Sequence, residues 1–77
     1  MTRLRRIVAA VLDVPPEAIN DTSGPADFAQ WDSAAHIDII LSAEAEYGVS
    51  FSPEEMIEML SIDAIEQALR RKGARVE

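Results

Sequence analysis

The positions of the helix breakers constrain the fold of this 77-residue chain more than any other feature of its sequence. They gather between residues 14 and 31, where the turn-forming residues are Pro15, Pro16, Asn20, Gly24 and Pro25. Before them, apolar residues recur with helical spacing from Leu4 to Leu12, which predicts a first helix that ends at the paired prolines. Three apolar residues within the stretch predict an ordered loop held against the core (Val14, Ile19 and Phe28).

The residues after this long loop predict two further helices. A second helix is expected from about Ser33 to Tyr47, with Gly48 in the left-handed conformation that commonly closes a helix. A short third helix is indicated by a start signal in which Ser52 is the cap, Pro53 takes the first helical position and Glu55 completes a capping box. The apolar residues of that helix are expected to face the core (Met56, Ile57 and Leu60).

A fourth helix is predicted at the end of the chain, with Ser61 as its cap. Its apolar residues share one face (Ile62, Ile65 and Leu69). Its basic residues lie near its negative C-terminal end (Arg70, Arg71 and Lys72). Neither strand alternation nor an internal repeat is visible, so the predicted fold class is all-α: a four-helix bundle with a long first loop and a short third helix.

The charges are segregated along the chain, which has a net charge of −7. Thirteen acidic residues and no lysine or arginine lie between Asp13 and Glu66, while the basic residues are confined to the two ends. Such a surface repels phosphate backbones and anionic lipids and attracts basic proteins. We therefore expect protein partners and neither nucleic acid nor membrane, although acidic residues also simply keep a small protein soluble.

Composition excludes several classes of site. The chain has no cysteine and one histidine, which rules out a disulfide framework, a thiolate metal site and a histidine cluster. A chain this short has little volume for an enclosed pocket, so it is not expected to be an enzyme. The apolar run from Ile7 to Leu12 is too short for a signal peptide, and no segment is long enough to span a bilayer, which predicts a cytoplasmic protein.

On a helical wheel at about 100° per residue, the predicted second helix has two separate apolar stripes. One stripe is expected to face the core (Ile39, Ile40, Ala43 and Tyr47). The other is a candidate docking surface (Ala34, Ile37 and Leu41). Ser33 and Glu44 fall in the gap between the stripes, and Asp38 and Glu46 border them from the other side. The alternative is that both stripes are buried, because a short bundle can surround its central helix.

The residues alone leave three interpretations of the Asp32-Ser33 pair open. Both are favoured N-cap residues, so the pair fits a simple helix cap. In a second interpretation, Ser33 is a catalytic nucleophile and His36 is its base. Neither a G-x-S-x-G turn nor oxyanion donors can be identified, however, and His36 also fits a partly buried helix position. An exposed serine beside an apolar stripe also fits a site that another protein modifies, because a helix N-terminus favours an attached phosphate.

The sequence QWDSA, from Gln30 to Ala34, resembles the Gly-x-Asp-Ser-Leu stretch of the acyl carrier protein family, which includes peptidyl and aminoacyl carriers. The resemblance covers essentially the whole chain, including EAEYGVSFSPEE after the second helix, and implies an acyl-carrier-protein-like bundle. It implies that Ser33 receives 4′-phosphopantetheine from coenzyme A through a phosphopantetheinyl transferase, and that Asp32 is used in transferase recognition. The thiol of that arm would carry an acyl or aminoacyl group as a thioester, as in fatty acid or secondary-metabolite biosynthesis.

The chain departs from this pattern at Gln30, which replaces the glycine, and at Ala34, which replaces a leucine or methionine that contacts partners. Ile37 and Leu41 are therefore expected to supply most of the apolar contact, with Asp38 and Glu44 beside them. The implied partners are the transferase, an acyl- or aminoacyl-loading ligase and downstream acyl-processing enzymes. We expect a monomeric, free-standing carrier domain over residues 1–77; the alternative is an unmodified helical interaction module that binds through helix two.

Overall fold

The computed structural model describes residues 3–76, which contain four α-helices, one 3-10 helix and no strand. The α-helices are α1 (Arg3–Leu12), α2 (Ser33–Tyr47), α3 (Pro53–Glu58) and α4 (Ile62–Arg71). The predicted all-α bundle with a long first loop and a short third helix is confirmed. The 3-10 helix, Pro16–Ala18, lies inside that loop and was not predicted. None of the helices within residues 3–76 has the length and apolar character needed to cross a membrane.

The predicted helix caps are confirmed. Gly48 closes α2 with a left-handed backbone, at φ 68°. Ser52 and Glu55 form the reciprocal capping box of α3, in which each side chain accepts a backbone N–H bond from the other residue, at 3.2 and 2.9 Å. The hydroxyl oxygen of Ser61 accepts from the Ala64 amide at 3.1 Å and so starts α4. Local sequence therefore determines where these helices begin and end.

The long loop is ordered by contacts with the core and with the start of α4. Ile19 is buried, and Val14 and Phe28 pack against the core as predicted. The amide of Ile62 donates to the Ser23 carbonyl at 2.9 Å, and the amide of Asp63 donates to the Asp21 carbonyl at the same distance. These two bonds fix the loop against the α3–α4 junction.

The prediction that Ile57 and Leu60 point into the core is wrong. Their exposed fractions are 70% and 58%, whereas Met59 is 2% exposed and takes the core position. Met56 is half-buried and packs against the core, as predicted. The prediction extended a helical phase through residue 60, but α3 ends at Glu58 and Met59 has a non-helical backbone at ψ 72°. This change of direction brings the Met59 side chain inward and leaves Leu60 outside.

Candidate functional site

Asp32 and Ser33 have different structural roles at the start of α2. Asp32 is the N-cap, and its Oδ1 accepts from the Ala35 amide at 2.9 Å. Ser33 is the first helical residue and is exposed. Because Asp32 supplies the cap, the Ser33 side chain is not required for it. The serine therefore lies at a solvent-accessible helix N-terminus, where the backbone dipole favours a negatively charged group.

An open, largely apolar groove of about 540 Å³ lies beside Ser33. One wall is the first turn and a half of α2, the other is α3 together with Leu60, two residues beyond its C-terminal end, and the loop closes one side. The residues that line it are Pro25, Trp31, Asp32, Ser33, His36, Ile37, Pro53, Met56, Ile57 and Leu60. Ile57 and Leu60, misassigned to the core from sequence, are thus part of this groove.

Trp31 and His36 connect three elements within the groove. Trp31 is 2% exposed, and its indole Nε1 donates to His36 Nδ1 at 2.9 Å. The other ring nitrogen of His36, Nε2, lies 2.9 Å from the Met56 carbonyl oxygen. Both ring nitrogens are therefore engaged, and neither is available as a base for Ser33. The geometry does not support the nucleophile interpretation.

The predicted separation of α2 into a core-facing stripe and an accessible apolar stripe is confirmed, and the docking role of the second stripe stays a prediction. Ile39, Ile40 and Ala43 are buried and Tyr47 packs against the core. The second stripe is accessible, since Ala34 is exposed and the exposed fractions of Ile37 and Leu41 are 49% and 51%. Ile57 and Leu60 continue the apolar surface across the groove onto the other wall.

The acidic residues around this surface differ in what they contact. Asp38, Glu54 and Glu58 are exposed. Glu44 is instead half-buried, and its Oε2 accepts from the Phe51 amide at 2.7 Å. Glu44 thus has a bond within the fold, and its role in partner contact stays a prediction. The described residues, 3–76, contain no group of three or more histidine, aspartate or glutamate residues arranged to hold a metal ion.

Sequence reasoning gave no site role to six of the groove residues: Pro25, Trp31, Pro53, Met56, Ile57 and Leu60. Trp31 carried a usable signal, because tryptophan is highly buried on average and its N–H usually finds a hydrogen-bond partner when buried. Leu60 carried a weaker signal, because it directly precedes Ser61, the predicted cap of the fourth helix.

A family model described as phosphopantetheine attachment site matches residues 2–69 of the chain. The match includes the entire groove, the Asp32-Ser33 pair and α2. No curated protein matches the chain.

Proposed function

The chain belongs to the phosphopantetheine attachment site family, and we propose that Ser33 is the residue to which the 4′-phosphopantetheine is attached. The cofactor of this family is covalently bound 4′-phosphopantetheine, and the chain is a phosphopantetheine carrier. When bound, the thiol of the phosphopantetheine supplies the chemistry of the carrier, because it holds cargo as a thioester. We further propose that the cargo is an acyl or aminoacyl group that partner enzymes load and process.

The observation that carries the assignment is the setting of Ser33. Its side chain is exposed, it occupies the first position of α2, and it lines the rim of an apolar groove. A phosphodiester at this position is favoured by the positive end of the helix dipole. The apolar groove offers the arm a surface directly beside its point of attachment. The residues present therefore fit the group.

Asp32 is proposed to assist the transferase. Its Oδ1 is held by the Ala35 amide, which fixes the carboxylate beside the serine. Asp32 is exposed, so a protein that docks on α2 reaches it. Ser33 and Asp32 thereby form one small recognition point at the end of the groove.

The second apolar stripe of α2 is the proposed partner surface. Ala34, Ile37 and Leu41 supply apolar contact, and Asp38 with Glu44 supplies the acidic margin. The transferase, the loading ligase and the processing enzymes would use this surface in turn. Small interfaces with charged margins suit such transient contacts, because each partner must release the carrier to the next.

The assignment is tested by intact mass after incubation with coenzyme A, magnesium and a broad-specificity phosphopantetheinyl transferase. We expect the wild type to gain the mass of one phosphopantetheine group and Ser33→Ala to gain none. Ser42→Ala is the matched control, because Ser42 is another exposed serine on α2, and it should be modified like the wild type. A gain that persists in Ser33→Ala would show that the attachment site is elsewhere.

An unmodified interaction module that binds through helix two is the second candidate. The exposed Ile37 and Leu41 favour it, since they form an apolar surface whether or not Ser33 is modified. The mass measurement separates the two functions, because the module requires no gain with any transferase. A cytoplasmic location, a monomeric state and a single domain over residues 1–77 stay predictions.

A further inference from the structure

We propose that His36 is a positioning residue that latches α3 to α2 and thereby sets the shape of the groove beside Ser33. The latch consists of Trp31, His36 and the Met56 carbonyl. The indole nitrogen lies 2.9 Å from His36 Nδ1, and His36 Nε2 lies 2.9 Å from the Met56 oxygen. The two bonds join the loop, the second helix and the third helix through one imidazole ring.

Donor and acceptor chemistry fixes the tautomer of His36. An indole N–H is a donor only, so His36 Nδ1 must be the unprotonated acceptor of the Trp31 bond. In the neutral ring the proton is then on Nε2, which donates to the Met56 carbonyl. The Trp31 and His36 rings lie 6.1 Å apart between centroids, with an interplanar angle of 30°. Trp31 thus orients the imidazole ring of His36 and leaves the Nε2–H donor directed at α3.

The Met56 carbonyl is one of the groups that a helix C-terminus leaves short of partners. α3 has six residues, so Met56 lies in its last turn, where no later helical amide is available. The Met59 amide reaches this oxygen only at 3.4 Å, and His36 adds the closer bond. A helix of this length is marginal without tertiary contacts. His36 therefore acts as a C-cap supplied by another helix.

The latch crosses the groove from wall to wall. Trp31, His36 and Met56 all line it, as does Ser33, which lies one turn before His36 on α2. Holding Met56 at bonding distance from α2 fixes how far the two walls stand apart. That this spacing shapes the surface offered to the phosphopantetheine arm rests on the proposed function, because it requires Ser33 to be the attachment site.

The first test reads the tautomer of His36 in the wild type by nitrogen NMR of the imidazole ring. We expect a neutral ring with its proton on Nε2. Trp31→Phe removes the indole donor, so the Nδ1 resonance should shift, while the proton stays on Nε2 because the Met56 carbonyl oxygen still accepts its bond. A wild-type ring with its proton on Nδ1 would overturn the latch, and this measurement does not depend on whether a His36 variant folds.

The second test compares amide hydrogen exchange in His36→Phe and Ser52→Ala. Loss of the latch should accelerate exchange of the Met59 amide about five- to tenfold, the effect of losing about one net hydrogen bond. Ser52→Ala is the matched control, because it removes the opposite cap of α3 and should accelerate the Glu55 amide most. An unchanged Met59 amide in His36→Phe would overturn the proposal.

The third test follows transferase modification of Ser33 in the same variants. A displaced groove wall weakens docking, so His36→Phe should raise the KM for the carrier severalfold and leave kcat within about twofold, since Ser33 and Asp32 are unchanged. A fall in kcat at unchanged KM would contradict an action through the groove. If the wild type is never modified, the proposed function fails, while the tautomer and exchange results still decide the latch.

Discussion

Gly24 is placed where the loop crosses the α3–α4 junction, and its lack of a side chain is required there. A Cβ at this position would overlap the Leu60 carbonyl oxygen. Gly24 does not have a positive φ, so the requirement is one of space rather than of backbone conformation.

Replacing Gly24 with alanine should therefore destabilise the protein. The overlap forces the loop away from Leu60 and strains the neighbouring Ser23–Ile62 bond, at an expected cost of about 1–3 kcal/mol. Urea unfolding followed by circular dichroism measures the change. Unaltered stability in Gly24→Ala would show that the loop moves freely at this point.

Glu55 links α3 to α4 by its charge. The Ser52 backbone N–H and the Lys72 ammonium group lower the pKa of Glu55 below its ordinary value of 4.5. The folded state thus favours the ionised carboxylate. The resulting stabilisation is present above pH 4.5 and is lost as the pH falls through the lowered pKa.

The variant Glu55→Gln isolates this contribution, because glutamine keeps a capping-box acceptor without the charge. The wild type should be the more stable of the two at neutral pH, and its advantage should shrink as the pH falls below 4.5. Thermal unfolding of both proteins across this range is the measurement. An advantage that stays constant with pH would contradict the assigned role of the charge.

At the scale of elements, sequence predicted the starts of the helices and the end of α2 well, and the end and orientation of α3 poorly. Caps act through neighbouring residues, so Ser52, Gly48 and Ser61 were readable from sequence. The direction of the Met59 side chain depends on where α3 stops, and six residues give too few turns to establish an apolar period. The Trp31–His36–Met56 contacts join separate elements, so they required the structure.

Two substitutions just after α3 should distinguish a core position from a surface position by their effects on stability. Met59→Ala should cost about 2–5 kcal/mol, because it leaves a cavity among buried side chains. Leu60→Ala should change the free energy of unfolding by less than about 0.5 kcal/mol, since Leu60 is 58% exposed. Denaturant unfolding of both variants checks the pair. Equal losses would contradict the orientation of the α3 end.

At the scale of the whole molecule, basic side chains in ion pairs are separate from the unpaired acidic residues beside the groove. Arg3 pairs with Glu46 at 3.1 Å and Lys72 pairs with Glu55 at 3.1 Å, and none of these four residues lines the groove beside Ser33. These exposed pairs contribute little to stability. Asp32 at the N-cap of α2, Asp38 on α2 and Glu58 on α3 have no basic partner within the described residues, so the proposed docking surface is anionic.

This distribution predicts a salt effect on partner association. Raising the ionic strength from about 0.1 to 1 M shortens the Debye length from about 10 to 3 Å. The kcat/KM of transferase modification should fall severalfold as attraction to a basic partner is screened. Asp38→Asn should show a weaker salt dependence than the wild type. A kcat/KM independent of salt would contradict electrostatic steering.

The central claim is that the carrier arm is attached at Ser33. Its most direct test is fragmentation mass spectrometry of the chain after modification by a phosphopantetheinyl transferase with coenzyme A. The account predicts that fragments containing Ser33 carry one phosphopantetheine group and that fragments containing Ser42 without Ser33 carry none. A group found on any other residue, or no group on the wild type with several transferases, would contradict it.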